Sequence, residues 1–296
     1  MTDARGIYPI LYAFFGADGK LDRDAMRRQA EACVAMGAHG VAALGLATEV
    51  RKLSLAERHE VMAWLIEDVG GRLPVAITVF GDTPDAQIAF VKSAAELGAA
   101  WVILQPPQGH VIDEAGLIGF FGKVMEASPL PVAIQNAPQY LGVGLSDEGL
   151  HTLCRNHPNF SLLKGEGSAL QIADTIKAVD GVLSVFNGRG GLELTDNLRA
   201  GCVGMIPAPE CADVQVRIYE LMEAGRETEA EQLYAEMLPL ITFLMQSVDQ
   251  FLCYGKRLTA RRLGLDKVYD REPCQRPTDL GLAVLRRYSD ALEAYR

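Results

Sequence analysis

Eight short apolar runs, each followed by an amphipathic helical pattern, constrain this chain more than any other feature. The runs are Ile7–Phe14, Gly40–Gly45, Leu73–Phe80, Ala99–Pro106, Pro131–Pro138, Phe160–Gly167, Leu183–Gly190 and Val203–Pro209. They are nearly continuous in apolar character and rich in Val, Ile and Leu. Strands covered on both faces read this way, which means a parallel sheet. The segments between them carry helix signals. Asp22–Met36 follows the turn at Asp18-Gly19. Ser54, with Glu57 three residues on, forms a capping box. Thr83 precedes a Pro at the first helical position, and that pattern closes near Leu97-Gly98. Asp113, Ser146, Ser168 and Leu192 open later helices, and Gly37, Gly98 and Gly201 fall where C-termini are expected.

Strand–helix units of about 20–30 residues, repeated eight times, predict an α/β fold of the (β/α)8 barrel type. An open doubly wound sheet is the alternative. The barrel is expected over residues 1–224. Residues 225–296 are expected as a C-terminal extension of three helices on the barrel's side, at about Glu227–Ser247, Phe251–Leu263 and Pro277–Tyr295.

Charge narrows the partners. The chain has 28 Lys and Arg against 38 Asp and Glu, a net −10, so nucleic acid is not an expected partner. A small anion still fits, because a local pocket can be positive on an acidic protein. No apolar stretch reaches the ~18 residues of a membrane helix, and Met1–Gly6 has no signal-peptide anatomy. The expected setting is the cytoplasm, with the six cysteines as reduced, mostly buried thiols. No Cys/His group has zinc spacing. Of the five histidines only His110 falls near an expected barrel mouth.

In a barrel the chemistry sits at the C-terminal ends of the strands. Six segments close the runs there: Gly45-Leu46-Ala47-Thr48-Glu49, Gln105-Pro106-Pro107, Gln135-Asn136-Ala137-Pro138, Lys164-Gly165-Glu166-Gly167, Asn187-Gly188-Arg189-Gly190-Gly191 and Pro207-Ala208-Pro209-Glu210. Lys164 is the anomaly, because it ends a strand that should be wholly buried and lysine is rarely buried without a partner. Two readings are open. It reaches solvent or pairs with Glu166, or it is a Schiff-base nucleophile of the kind that apolar burial favours by disfavouring the charged amine. Strand alternation puts Glu166 on the same face. There it is either a proton carrier for an imine intermediate or only the partner that holds the lysine.

The order of these motifs resembles the dihydrodipicolinate synthase / N-acetylneuraminate lyase superfamily. That family carries Gly-(Ser/Thr)-Thr-Gly-Glu and then Leu-Ser-x-x-Glu-Arg, where this chain has Gly45-Leu46-Ala47-Thr48-Glu49 and Leu53-Ser54-Leu55-Ala56-Glu57-Arg58. Its Tyr-Asn-x-Pro motif matches Gln135-Asn136-Ala137-Pro138, and its Ile-Lys matches Leu163-Lys164. The Gly-rich turn at residues 187–191, the tail from Tyr254-Gly255-Lys256 to Leu263-Gly264-Leu265, and Arg276-Pro277 also fit. The resemblance implies imine chemistry on a 2-oxo acid, with Lys164 as nucleophile and no metal or organic cofactor. It implies that backbone N–H groups of Ala47 and Thr48 hold the substrate carboxylate, with the Thr48 hydroxyl as a further donor. Asn187, Gly188, Arg189 and Ala208 complete the expected substrate-binding set, Glu49 is expected to accept backbone N–H bonds, and a homotetramer is implied.

The departures narrow the reaction. The synthase relay uses hydroxyls where this chain has Leu46, Pro107 or Gln108, and Gln135, and it uses an arginine where this chain has Tyr140. Aldol cleavage needs a base on the C4 hydroxyl, and Gln135 cannot titrate. Gln135 with Lys164 and Glu166 resembles the branch that dehydrates 2-keto-3-deoxy sugar acids. L-2-keto-3-deoxyarabonate, giving 2-oxoglutarate semialdehyde, is the expected substrate. The alternatives are a pyruvate-releasing aldolase, a deaminase of a hydroxylated pyrroline carboxylate, and a catalytically silent 2-oxo acid sensor.

Overall fold

The computed structural model describes residues 3–108, 112–293 and 295, so His110 lies outside the described residues. Among those described, eight parallel strands form one sheet: β1 (Gly6–Ile7), β2 (Val41–Ala43), β3 (Val75–Val79), β4 (Trp101–Leu104), β5 (Val132–Asn136), β6 (Phe160–Gly165), β7 (Ser184–Asn187) and β8 (Gly204–Met205). β2 to β8 pair in chain order, and β8 pairs with β1. A parallel bridge between Ile10 and Ala42 joins the continuation of β1 to β2. The cylinder therefore closes, and the fold is a (β/α)8 barrel rather than an open sheet with two edges.

The helices between strands are α1 (Arg23–Ala35), α2 (Leu55–Val69), α3 (Pro84–Leu97), α4 (Glu114–Ala127), the single turn α5 (Pro138–Leu141), α6 (Asp147–Asn156), α7 (Ala169–Val179), α8 (Leu194–Arg199) and α9 (Ala212–Glu223). Their N-termini use the side chains the sequence supplies. Asp22, Thr83, Asp113 and Ser146 each accept a first-turn N–H, and Ser54 and Ser168 form reciprocal capping boxes with Glu57 and Gln171.

Two strands are shorter than their apolar runs because proline interrupts the ladder. Pro9 has no N–H, so β1 ends at Ile7. The run nevertheless stays paired: Tyr8 N donates to Met205 O at 3.0 Å, Ile10 N to Pro207 O at 2.7 Å and Leu11 N to Ala42 O at 2.9 Å. Pro207 and Pro209 limit β8 in the same way. Where β8 meets β1 the backbones leave no room for a side chain, since a Cβ on Gly204 would lie 1.9 Å from the Gly6 carbonyl oxygen. Inside the barrel, below the site, Tyr8, Trp101 and Phe186 pack ring against ring with centroids 5.4–5.8 Å apart.

The C-terminal extension holds α10 (Glu227–Leu244), α11 (Val248–Gln250), a π-helical turn (Phe251–Gly255), α12 (Lys256–Arg262) and α13 (Asp279–Ser289). Leu240, Ile241 and Leu244 share an apolar cluster with Ile7 and Met205 on the outside of β1 and β8. The segment after α10 reaches farther than the barrel's side: Met245, Val248 and Phe251 stand at the barrel mouth. Among the described residues no helix is long and apolar enough to cross a membrane.

Candidate active site

Parallel register sets the site's side chains beside one another. Gln135 on β5 pairs with Lys164 on β6, and Gln105 follows the Leu104–Ile134 pair by one residue. Lys164 is 4% exposed and Glu166 6%. Lys164 Nζ lies 3.1 Å from Glu166 Oε1, so this lysine has a partner inside the barrel rather than in solvent.

Three donors hold the Glu166 carboxylate. Besides Lys164, the Gln135 Nε2 donates to Oε1 at 3.1 Å and the Arg189 backbone N–H to Oε2 at 2.8 Å. The Glu166 carbonyl accepts from Gln139 Nε2 at 2.6 Å. Arg189 takes a left-handed φ of 53° to aim that N–H, a strained geometry of the kind found at functional sites. Gly188 makes the approach possible, since a Cβ there would lie 2.3 Å from Glu166 Oε2.

These groups border a cleft at the C-terminal end of the barrel. Lys164, Glu166, Tyr140 and Arg189 form its polar side. Leu46, Ile10, Ile206, Ala208 and the three extension residues Met245, Val248 and Phe251 form an apolar wall. Burial, reinforced by the negative charge of Glu166, pushes the Tyr140 phenol above its ordinary range, against an opposing pull from Arg189.

The turn after β2 contributes backbone. Leu44 and Glu49 both have positive φ, 67° and 54°, bracketing Ala47 and Thr48. Among the described residues the N–H groups of Ala47 and Thr48 have no protein acceptor, and Ala47 borders the cleft. Oriented free amides of this kind suit a carboxylate. The Thr48 hydroxyl, expected as a further donor, is used inside the protein instead. It donates to Leu11 O at 2.6 Å and accepts from Leu44 N at 2.8 Å. Glu49, expected to accept backbone N–H bonds, instead binds Lys52 Nζ at 2.6 Å and the buried Lys256 of α12.

The predicted residues thus fall into two groups. Lys164, Glu166, Ala47, Arg189 and Ala208 border the cleft, and Gln135 reaches it through Glu166. Thr48, which is fully buried, Asn187 and Gly188 do not border it. Asn187 Nδ2 donates to Gly167 O at 3.0 Å and to Asn197 Oδ1 at 2.8 Å, and its Oδ1 accepts the Gly188 N–H at 2.9 Å. The Arg189 guanidinium is partly engaged, by Glu193 at 2.7 Å and Gly167 O at 3.3 Å.

Sequence reasoning gave no role to Gln105, whose Nε2 donates to Gln135 Oε1 at 2.8 Å. A signal was available, since an amide closing an otherwise apolar strand needs a partner when buried. Met245, Val248 and Phe251 left no such signal, because an apolar residue on a helix reads as core. No group of three or more His, Cys, Asp or Glu among the described residues is placed to hold a metal ion.

A model of the dihydrodipicolinate synthetase family matches residues 3–281. The chain is 28% identical over 243 residues to the L-2-keto-3-deoxyarabonate dehydratase of Azospirillum brasilense, covering 80% of this chain and 78% of that one. It is 30% identical over 242 residues to the 4-hydroxy-tetrahydrodipicolinate synthase of Methanothrix thermoacetophila, covering 80% of each. The crystal structure of dihydrodipicolinate synthase from Rhodopseudomonas palustris matches with a TM-score of 0.89 at 24% identity, over 98% of both chains. At that identity the structural likeness speaks for the fold.

Proposed function

The chain belongs to the dihydrodipicolinate synthetase family, and from that premise we propose that it is a Schiff-base lyase that dehydrates a 2-keto-3-deoxy sugar acid. L-2-keto-3-deoxyarabonate is the proposed substrate and 2-oxoglutarate semialdehyde the product. One observation carries this reading: the buried amine of Lys164 lies 3.1 Å from the Glu166 carboxylate inside the cleft, and the side chain next to both is an amide rather than a hydroxyl.

The steps follow from the groups present. The free N–H groups of Ala47 and Thr48 hold the substrate carboxylate. The amine of Lys164, in its neutral form, adds to the C2 ketone, and one of its protons passes to the carbonyl oxygen. Loss of water leaves an imine, which withdraws electrons from C3. Glu166 removes a C3 proton, the electron pair forms the C3–C4 double bond, and the C4 hydroxyl departs as water with that proton. A proton then moves from C5 to C3, leaving a C4–C5 enol, and the enol hydroxyl proton moves to C4, which makes C5 an aldehyde. Hydrolysis of the imine restores Lys164, and the net change is loss of one water.

Aldol cleavage is the weaker reading. It needs a base on the C4 hydroxyl, and Gln135 cannot serve. Tyr140 borders the cleft, but its phenol is held above its ordinary range by burial, which makes phenolate harder to form. The proposal also takes the enzyme to be a cytoplasmic homotetramer, as the family resemblance implies.

The test has two arms. Borohydride with pyruvate should attach a permanent mass increment to Lys164, and no label means no imine. Incubation with 2-keto-3-deoxy acids should then yield a semialdehyde; free pyruvate would indicate an aldolase and ammonia from a pyrroline carboxylate a deaminase. Glu166→Gln should keep the label and lose turnover by about 100-fold or more.

A further inference from the structure

We infer that Gln105 is a positioning residue for the base, holding the Gln135 amide in the single orientation that presents an N–H to Glu166. The inference rests on the lyase reading above, because it concerns how the proposed base is kept in place.

The argument is one of polarity. An ionised carboxylate only accepts hydrogen bonds, so Gln135 must turn its Nε2 toward Glu166. Its Oε1 then points the other way. There it meets the Nε2 of Gln105 at 2.8 Å, while its own Nε2 lies 3.1 Å from Glu166 Oε1. Gln105 and Gln135 are each 1% exposed, so neither amide can turn to water for a partner. The two ends of an amide have nearly the same shape. Packing cannot choose between them, and only hydrogen-bond polarity can. With Gln105 in place, a reversed Gln135 would set nitrogen against nitrogen at one end and oxygen against carboxylate oxygen at the other. Gln87, on α3, anchors only the backbone there: its Nε2 donates to the main-chain carbonyl of Gln105 at 2.8 Å and to Gly81 O at 3.0 Å. The relay of amide polarity thus runs from Gln105, just past β4, through Gln135 on β5 to the Glu166 carboxylate. Among the described residues Lys164 and Tyr140 are the other titratable groups facing Glu166, while Arg189 meets it through its backbone N–H.

Two measurements with pyruvate separate the base from the nucleophile. Borohydride trapping reads imine formation alone. Exchange of the pyruvate methyl protons for deuterium in heavy water, followed by NMR, also needs a base at C3. In Gln105→Met the trapping rate should stay within about twofold while exchange falls about tenfold, the effect of one directed hydrogen bond. Gln105→Glu should be worse at alkaline pH, because an ionised carboxylate there accepts from Gln135 and turns its oxygen toward Glu166. That variant should recover as pH falls, when the introduced carboxyl gains a proton and its O–H can donate to Gln135 Oε1. Gln135→Met should show the same split, and the double variant Gln105→Met/Gln135→Met should be no worse than either single one.

Trapping and exchange that decline together in every variant, an additive double variant, or a Gln105→Glu defect indifferent to pH would each overturn the assignment. Wild-type protein that forms no trappable imine would overturn the lyase reading itself, and this inference with it.

Discussion

Replacing Glu210 with Gln should remove a large part of the pH dependence of folding. Glu210 follows β8 and has no exposed surface. Its Oε2 accepts from the Tyr12 hydroxyl at 2.9 Å, and its Oε1 has no hydrogen-bond partner. The nearby Arg262 is committed elsewhere, to Asp213 at 2.5 Å and to the Glu210 carbonyl at 2.9 Å. Burial therefore dominates and pushes the carboxyl up to about 7, against smaller opposing effects from hydrogen bonds and from Arg262. In the unfolded chain a glutamate titrates near ~4.3. Between these values the folded protein binds more protons than the unfolded one. The stabilisation is present in full at acidic pH and is lost as pH rises through about 7. At about 1.4 kcal/mol per pH unit, the loss is on the order of 3 kcal/mol, most of it between about pH 5 and about pH 8. Glutamine cannot ionise and still accepts from Tyr12. Urea unfolding of both proteins at the two pH values measures the effect, and subtracting one from the other cancels every other titrating group. Glu57 would not interfere in any case, since Arg271 holds its carboxyl down at about 2. If wild type and Glu210→Gln lose equal stability on going to the higher pH, the reasoning about this buried carboxyl is wrong.

Gly188→Ala should displace the base. The new Cβ would lie 2.3 Å from Glu166 Oε2, so the carboxylate must retreat by about 1 Å, and deuterium exchange into pyruvate should fall about 100-fold while borohydride trapping persists. Lys256→Met should cost about 3 kcal/mol in urea unfolding, because Glu49 loses the buried cation that ties the turn after β2 to α12. A loss under about 1 kcal/mol would mean that Lys52 alone satisfies Glu49.

How much of the molecule was legible beforehand differs from element to element. The capping box at Ser54 and Glu57 and the Thr83-Pro84 start were readable because a cap and its helix are neighbours along the chain. Lys164 was readable for a related reason. A charge in an apolar run is an anomaly whatever surrounds it, and alternation ties Glu166 to the same face. The Thr48 hydroxyl was not readable. Its acceptor, Leu11, lies 37 residues away, on the continuation of β1. Nor were the apolar residues of the extension, since Met245 and Phe251 look identical in sequence whether they fill a core or wall a cleft.

Periodicity and punctuation along the chain were enough to assign eight strand–helix units and to single out one amine among them. They act over a few residues, and a few residues suffice to display them. The polarity of Gln105, Gln135 and Glu166, the free amides beside Ala47, and the reach of the extension over the mouth are relations across strands. They came into being when the Ile10–Ala42 bridge closed the cylinder and ladder register set side chains from distant segments a hydrogen bond apart.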